Sequence, residues 1–115
     1  MRDRLLSNKN RLEDVIEAIN SINDFIKGQN EKDFLADLIV QSAVLYQFAV
    51  IGEAVARIDN DFLEKYPYPW HFVKSFRNFI LHEYHAIEMW VVWETIVNDL
   101  PELKNMIVRI LENEF

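Results

Sequence analysis

The chain has 115 residues, half of them hydrophobic, with two glycines, three prolines and a formal net charge of −7. We expect one domain, 1–115, that buries roughly two thirds of its unfolded surface, which excludes a disordered tail. The absence of cysteine excludes disulfides, thiolate metal sites and cysteine nucleophiles. The acidic charge argues against non-specific nucleic-acid binding, so any RNA site must be a local basic patch.

We expect no secretory signal at the N-terminus. Charged residues interrupt the N-terminal 15 residues, which lack the apolar segment of a signal peptide. No stretch approaches the roughly 18 continuous apolar residues of a membrane span, because Glu53 and Arg57 interrupt the most apolar one. We therefore expect a soluble, cytoplasmic protein with no membrane contact.

Two long helices are predicted in the first half of the chain. Apolar residues recur at helical spacing through 3–27, and Gly28 follows as a C-terminal cap. A second helix is predicted over 32–57. Small residues at 42, 49, 52 and 56 would let another helix backbone approach closely. Gly52 is therefore interpreted as a packing residue and not as a helix breaker, although it costs about 1 kcal/mol relative to Ala.

The second half of the chain begins with a break and continues as helices. Residues 58–69 contain turn-forming residues and two prolines, with room for a short helical turn at 61–66. Further helices are predicted over 69–84, over 87–99 and from Pro101 onward. With no repeats and no strand-like alternation, the fold class is all-α, an antiparallel bundle of four to five helices.

The third predicted helix separates into faces at about 100° per residue. An aromatic face, which we expect in the core, consists of Phe72, Phe76 and Phe79. An apolar face interrupted by polar groups consists of Val73, Arg77, Ile80 and Tyr84. A polar face consists of His71, Ser75, Asn78 and His82.

Arg77 and His82 have complementary chemistry. Imidazole is the side chain best suited to proton transfer near neutral pH, and a guanidinium binds phosphate oxygens. Asn78, one turn before His82, would hold the imidazole or donate to a ligand. Together they supply the groups for phosphodiester cleavage without a metal. On RNA, the internal 2′-hydroxyl would be the nucleophile and a 2′,3′-cyclic phosphate the first product.

Spacing alone leaves a structural interpretation open. Glu53, in apolar surroundings on the preceding long helix, is a natural ion-pair partner of Arg77. Breaking a buried pair costs about 3–5 kcal/mol, so Arg77 would then serve folding and not substrate. Tyr84 would be an amphipathic residue at the edge of the helix.

The remaining histidines and the tryptophans have structural interpretations. His71 and His85 are predicted at the surface or at helix ends, and Trp70, Trp90 and Trp93 as core or interface anchors. Three histidines without an HExxH motif do not indicate a metal site, and no glycine-rich phosphate loop is present. We expect neither a metal nor a cofactor.

The sequence Arg77, four residues, His82, one residue, Tyr84 resembles the motif of the HEPN superfamily in its HepT toxin branch, the partner of MNT-type minimal nucleotidyltransferases. The resemblance covers the C-terminal two thirds of the chain, in the expected order. The segments that are similar to HepT are GEAVARI (52–58), KYPYPWHFVKSFRNFILHEY (65–84) and VWETIVNDLPELK (92–104).

The resemblance implies that Arg77 and His82 are the ribonuclease pair, with Asn78 in the family's polar position after the arginine. It also implies a homodimer that brings two such motifs into one composite cleft. Duplicating Arg77, Lys74 and Arg57 across that cleft would create a positive patch on an acidic protein. Two histidines would then be available, one as base and one as acid.

Tyr84 resembles the tyrosine that the nucleotidyltransferase antitoxin modifies with AMP. A tethered phosphodiester beside Arg77 would compete with RNA phosphate for the guanidinium and silence the site. The resemblance thus implies the toxin of a toxin–antitoxin pair, a metal-independent endoribonuclease. Two alternatives remain: a noncatalytic partner that presents Tyr84 or a nucleotide pocket to a nucleotidyltransferase, and a structural helical dimer in which the Arg77–Glu53 pair fixes the packing.

Overall fold

Residues 2–115, which the computed structural model describes, are all-helical and contain no β-strand. A 3₁₀ turn spans Tyr84–Ala86, and a π-helical turn, Thr95–Asp99, joins the helices Met89–Glu94 and Leu100–Glu114. The predicted antiparallel bundle is confirmed, since four longer helices build it and shorter segments connect them. The α-helices are α1 (Arg2–Phe25), α2 (Glu31–Leu35), α3 (Leu38–Ala56), α4 (Asn60–Leu63), α5 (Trp70–His82), α6 (Met89–Glu94) and α7 (Leu100–Glu114).

Helix α3 lies at the centre of the bundle, with α1 on one side and α5 on the other, and α7 packs against α1. The buried face of each long helix follows the helical period, as it must when one side of a helix covers a common core. Each fully buried aliphatic side chain contributes about 1.5–3 kcal/mol. Fully buried members of this core include Leu12, Val15, Ile22, Val44, Ile51, Val55, Ile107 and Ile110.

Helix α3 is long and apolar enough, by length and composition alone, to cross a membrane, contrary to the prediction that no stretch of the chain approaches a membrane span. Its position accounts for this composition. A helix that packs against neighbours on two sides needs apolar residues around much of its circumference. Val44, Phe48 and Ile51 of this helix are buried in the core.

The first predicted helix and its cap are confirmed, with the helix ending at Phe25, two residues earlier than expected. Gly28 has φ of +80°, in the left-handed region that favours glycine after a helix. The prediction of one continuous helix over 32–57 is wrong, because Asp37 is extended and its carboxylate caps α3. Gln41 then donates to two carbonyls at the end of α2, at 2.9 and 3.1 Å, so the break leaves them paired.

The later helices differ from prediction at their ends. Helix α5 ends at His82, two residues earlier than expected. The predicted fourth and last helices are continuous, because a π-helical turn joins them. There the Leu100 N–H donates to the Thr95 carbonyl, five residues back. The shift to this wider pattern precedes Pro101, which has no N–H to donate to an α-helical ladder.

The expected aromatic core face of α5 is wrong for two of its three members. Phe72 and Phe79 are 52% and 49% exposed. Phe76 is half-buried and packs edge-to-face against Phe48, with ring centroids 5.3 Å apart. Helix α5 packs mainly against α3, so side chains on its far flank are only partly covered.

Candidate functional site

The contact between α3 and α5 depends on Gly52. A Cβ atom at this position would lie 2.8 Å from the backbone nitrogen of Arg77 and 3.2 Å from the Cβ of Phe76. The predicted role of Gly52 in close packing is confirmed. Because the α5 backbone at Arg77 lies directly against Gly52, the next residue of α3, Glu53, is within reach of the Arg77 side chain.

The Glu53 carboxylate contacts two guanidinium groups. Its Oε2 atom lies 2.7 Å from Arg77 Nε, and its Oε1 atom accepts a hydrogen bond from Arg57 Nε at 2.8 Å. Two positive charges and one negative charge therefore meet at the α3–α5 contact. The cluster carries a net positive charge on an acidic protein, as an anion-binding site requires.

The expected Arg77–Glu53 pair is present but is not buried. The side chains are 46% and 37% exposed, respectively. Ion pairs with this access to water contribute about 0.2–1 kcal/mol, so the expected loss of about 3–5 kcal/mol for a buried pair does not apply. Half of the Arg77 side chain remains open to a ligand.

His82 is the last residue of α5, and its side chain is exposed. No hydrogen bond or ion pair within residues 2–115 holds its ring, and none holds the exposed Asn78 side chain. Asn78 therefore does not orient the imidazole within one chain. On a helix, Arg77 and His82 lie about 140° apart, with Asn78 in the sector between them. A ligand that spans this sector would meet all three.

Tyr84 does not share a helical face with Arg77, because α5 has already ended. The Glu83 N–H closes the helix on the Phe79 carbonyl, and Tyr84 begins the 3₁₀ turn. Tyr84 is 51% exposed, and its ring stands edge-on to the ring of His85, with centroids 5.8 Å apart. Within residues 2–115 its hydroxyl makes no hydrogen bond. The Tyr84 hydroxyl therefore lies on the surface, where another protein could reach it.

Lys74 and Arg57 differ from expectation in their contacts. The Lys74 amino group donates to the side chain of Asn60, at the start of α4. The sequence predicts Arg57 only as part of a positive patch. In the structure, Arg57 and Arg77 both contact the Glu53 carboxylate. The four-residue spacing from Glu53 to Arg57 could have predicted this contact, because it places both side chains on one helical face.

The three tryptophans occupy different environments. Trp70 is buried, and its indole N–H donates to two backbone carbonyls at 2.9 and 3.1 Å, so it is the core anchor expected. Trp93 packs against Phe34 with ring centroids 5.4 Å apart, and Trp90 is exposed.

The remaining polar groups of α5 and its surroundings show no further site. His71 and His85 lie on the surface, as predicted. In the described part of the chain, 2–115, no three His, Asp or Glu side chains are grouped as ligands for a metal ion. The Ser75 hydroxyl donates to the Phe72 carbonyl at 2.6 Å, so it is bound to its own helix.

Large apolar side chains are exposed on the two helices that carry the Glu53 cluster. Ile39 and Tyr46 on α3, and Leu81 on α5, are exposed. On the opposite flank of α5, Phe72 and Phe79 line a groove of about 310 Å³ that α6 closes on its other side. Contiguous exposed apolar surface is typical of sites that contact another molecule.

Two polar contacts join distant segments of the bundle and shift pKa values. Hydrogen bonds from Arg4 and then Asn8 hold the pKa of Asp59 below its usual range, and tie α1 to the loop after α3. The Tyr66 hydroxyl donates to Glu114 at 2.7 Å and lowers the pKa of that carboxyl. These contacts lie outside the Glu53 cluster.

Comparison with known proteins places the sequence beside ribonucleases. The family model described as Ribonuclease HepT-like matches residues 15–110. The chain is 36% identical over 105 residues to "Probable ribonuclease HepT" of Thermococcus cleftensis, across 90% of this chain and 96% of that protein. It is 31% identical over 104 residues to "Putative RNase TTE0752" of Caldanaerobacter subterraneus subsp. tengcongensis, across 90% and 93%.

A third relative is longer. The chain is 31% identical over 102 residues to "Gamma-glutamylcyclotransferase and putative RNase MJ0434" of Methanocaldococcus jannaschii, across 88% of this chain but 46% of that protein. The chain therefore spans about half the length of this relative. No solved structure matches the chain.

Proposed function

This chain belongs to the ribonuclease HepT-like family, and we propose that it is a metal-independent endoribonuclease, the toxin of a toxin–antitoxin pair that acts in the cytoplasm. The observation that carries the proposal is the exposed Arg77 guanidinium, 2.7 Å from Glu53, on the same helix as the exposed imidazole of His82. One group is suited to bind phosphate and the other to move a proton.

The proposed reaction is transesterification. An imidazole takes the proton of the 2′-hydroxyl, and the 2′-oxygen bonds to phosphorus while the bond from phosphorus to the 5′-oxygen breaks. A second imidazole gives a proton to the departing 5′-oxygen. The products are a 2′,3′-cyclic phosphate and a 5′-hydroxyl. Arg77 binds the nonbridging oxygens, whose charge increases in the transition state.

A homodimer would supply the second imidazole. His82 is the single histidine that follows Arg77 at the motif spacing, so base and acid must otherwise be one group acting in turn. The exposed Ile39, Tyr46 and Leu81 support a contact between two copies through α3 and α5. A stable interface buries about 1,200–2,000 Å² in total, which needs large apolar side chains of this kind.

AMP transfer to Tyr84 is the proposed mode of silencing. The phenolic oxygen would attack the α-phosphorus of ATP and lose its proton, and pyrophosphate would leave. The exposure of Tyr84 supports its access to a nucleotidyltransferase antitoxin. The attached phosphate would then compete with RNA for the cationic cluster that contains Arg77, seven residues earlier in the chain.

The test is RNA cleavage by unmodified protein in excess EDTA. His82→Ala should lose about 10²- to 10⁴-fold in rate, as expected for a lost acid–base group. His71→Ala is the matched control, since it removes an exposed imidazole from the same helix and should cleave normally. Equal cleavage by folded His82→Ala and wild type would remove the catalytic assignment.

The modification is tested by intact mass after co-expression with a minimal nucleotidyltransferase encoded beside the gene. We expect an AMP increment in wild type and in Tyr46→Phe, which alters another exposed tyrosine, and none in Tyr84→Phe. If Tyr84 is modified on co-expression but the unmodified protein never cleaves RNA, the chain would instead be a noncatalytic partner of the nucleotidyltransferase.

A further inference from the structure

We propose that Arg57 is a second phosphate-binding residue of this site, oriented beside Arg77 by the Glu53 carboxylate. The inference rests on the proposed function, because it assumes that the site receives the phosphodiester of single-stranded RNA. It adds a residue outside the motif of Arg77 and His82.

The geometry makes the two guanidinium groups neighbours. Each oxygen of one carboxylate faces one of them, at 2.8 Å for Arg57 and 2.7 Å for Arg77. In both cases the shortest contact is through Nε, the nitrogen nearest the aliphatic stem. Glu53 therefore contacts the inner edge of each guanidinium and orients the outer edge away from itself.

The outer nitrogens have donors to spare. A guanidinium carries five N–H donors, and no hydrogen bond within residues 2–115 involves a terminal nitrogen of Arg57 or Arg77. The Arg57 side chain is 58% exposed. A phosphodiester has two nonbridging oxygens, so two adjacent guanidinium groups match it better than one does.

The backbone fixes the origin of the Arg57 side chain. Arg57 is the C-cap of α3 with helical φ and ψ, and its N–H bonds to the Glu53 and Ala54 carbonyls. The other nearby cation, Lys74, is bound to Asn60. Arg57 is thus the second cation that the fold places at the Glu53 carboxylate.

A structural role alone explains the arrangement less well. A half-exposed pair four residues apart on a helix contributes about 0.3–0.5 kcal/mol, which is small beside the core. Two cations around one carboxylate leave an uncompensated positive charge, which a purely structural pair does not need. A phosphate would compensate it.

The experiment measures binding of a 2′-O-methyl RNA oligonucleotide, which lacks the 2′-hydroxyl nucleophile and so is not cleaved. Fluorescence anisotropy would be followed across a salt titration with protein shown by intact mass to be unmodified. The variants are Arg57→Gln, Arg57→Lys and, as the matched loss of one charge, Arg109→Gln on α7, which packs against α1.

We expect Arg57→Gln to weaken binding about fivefold to tenfold at physiological salt. The slope of log affinity against log salt should fall by about 0.7 for each phosphate that the protein no longer neutralises. Arg57→Lys should recover part of the affinity, since it keeps the charge without the planar fork. Arg109→Gln should bind as wild type does.

The outcomes separate this inference from the proposed function. If wild type cleaves RNA and Arg57→Gln binds with unchanged affinity and salt slope, the inference is overturned while the ribonuclease assignment stands. If Arg57→Gln and Arg109→Gln weaken binding equally, the effect is one of overall charge and the inference is likewise overturned. If wild type neither binds nor cleaves RNA, both proposals fail.

Discussion

Substituting Ala for Gly52 tests the contact on which the whole cluster depends. Two effects of opposite sign compete in Gly52→Ala. Helix propensity alone favours Ala in the interior of α3 by about 1 kcal/mol. Packing opposes it, because the new Cβ would lie 2.8 Å from the Arg77 nitrogen and 3.2 Å from the Val73 carbonyl oxygen.

The packing effect should be the larger one. The atoms that the Cβ would meet are backbone atoms and the Cβ of Phe76, so no side-chain rotation relieves the overlap and α5 must move. Overpacking of this kind costs about 1–3 kcal/mol, which leaves a net destabilisation of up to about 2 kcal/mol after the gain of about 1 kcal/mol in propensity. The same movement would separate Arg77 from Glu53.

Urea unfolding followed by circular dichroism measures the net effect. Ser42→Ala, at an exposed position of the same helix, is the control and should be neutral or slightly stabilising. We also expect RNA cleavage to fall in Gly52→Ala by more than the folded fraction accounts for. A Gly52→Ala protein as stable as Ser42→Ala would refute the steric reasoning, since propensity would then have prevailed.

Three further predictions concern single side chains. Arg77→Ala should lower the free energy of unfolding by less than about 1 kcal/mol, because its ion pair is half-exposed, yet abolish RNA cleavage. Trp70→Phe should cost about 1–3 kcal/mol in urea unfolding, because two buried carbonyls lose their donor. Tyr66→Phe should destabilise the protein at neutral pH and progressively less in acid. The folded-state pKa of Glu114 is lowered, so this carboxylate stabilises the fold above its unfolded pKa and stops doing so as pH falls through the folded pKa.

Each of these has an outcome that would contradict it. A loss of several kcal/mol in Arg77→Ala would restore the buried-pair interpretation. For Trp70→Phe the control is Trp90→Phe at an exposed position, expected within about 0.5 kcal/mol of wild type, and an equal effect of the two would contradict the hydrogen-bond argument. A destabilisation by Tyr66→Phe that is independent of pH between neutrality and acid would show that its origin is packing.

Local sequence was sufficient for most of the helices and for the chemistry of the candidate site. The apolar period predicted the long helices, because one covered face per helix requires it. The motif of Arg77 and His82 was visible because its spacing is local. The role of Gly52 could be inferred from the small residues at 42, 49, 52 and 56, and the structure confirms the close approach.

Helix ends were less predictable, because they depend on contacts made elsewhere. The apolar pattern over 32–57 predicts one helix, but the chain breaks at Asp37. The Gln41 side chain then donates hydrogen bonds to the carbonyls that the break exposes. Tyr84 lies beyond the end of α5, although its spacing from Arg77 fits the helix. A periodic pattern predicts which residues share a helical face, but it does not predict at which residue the helix ends.

The sequence by itself determined the all-helical class and the polar side chains available for chemistry, because these follow from local periodicity and residue type. The family followed from the resemblance of its motif and flanking segments to HepT. Only the tertiary structure decided that Phe72 and Phe79 are uncovered and that Arg57 shares Glu53 with Arg77. The physical reason is that exposure and charge pairing depend on which helix lies opposite. Which helices lie opposite each other depends on packing between segments that are distant in the chain.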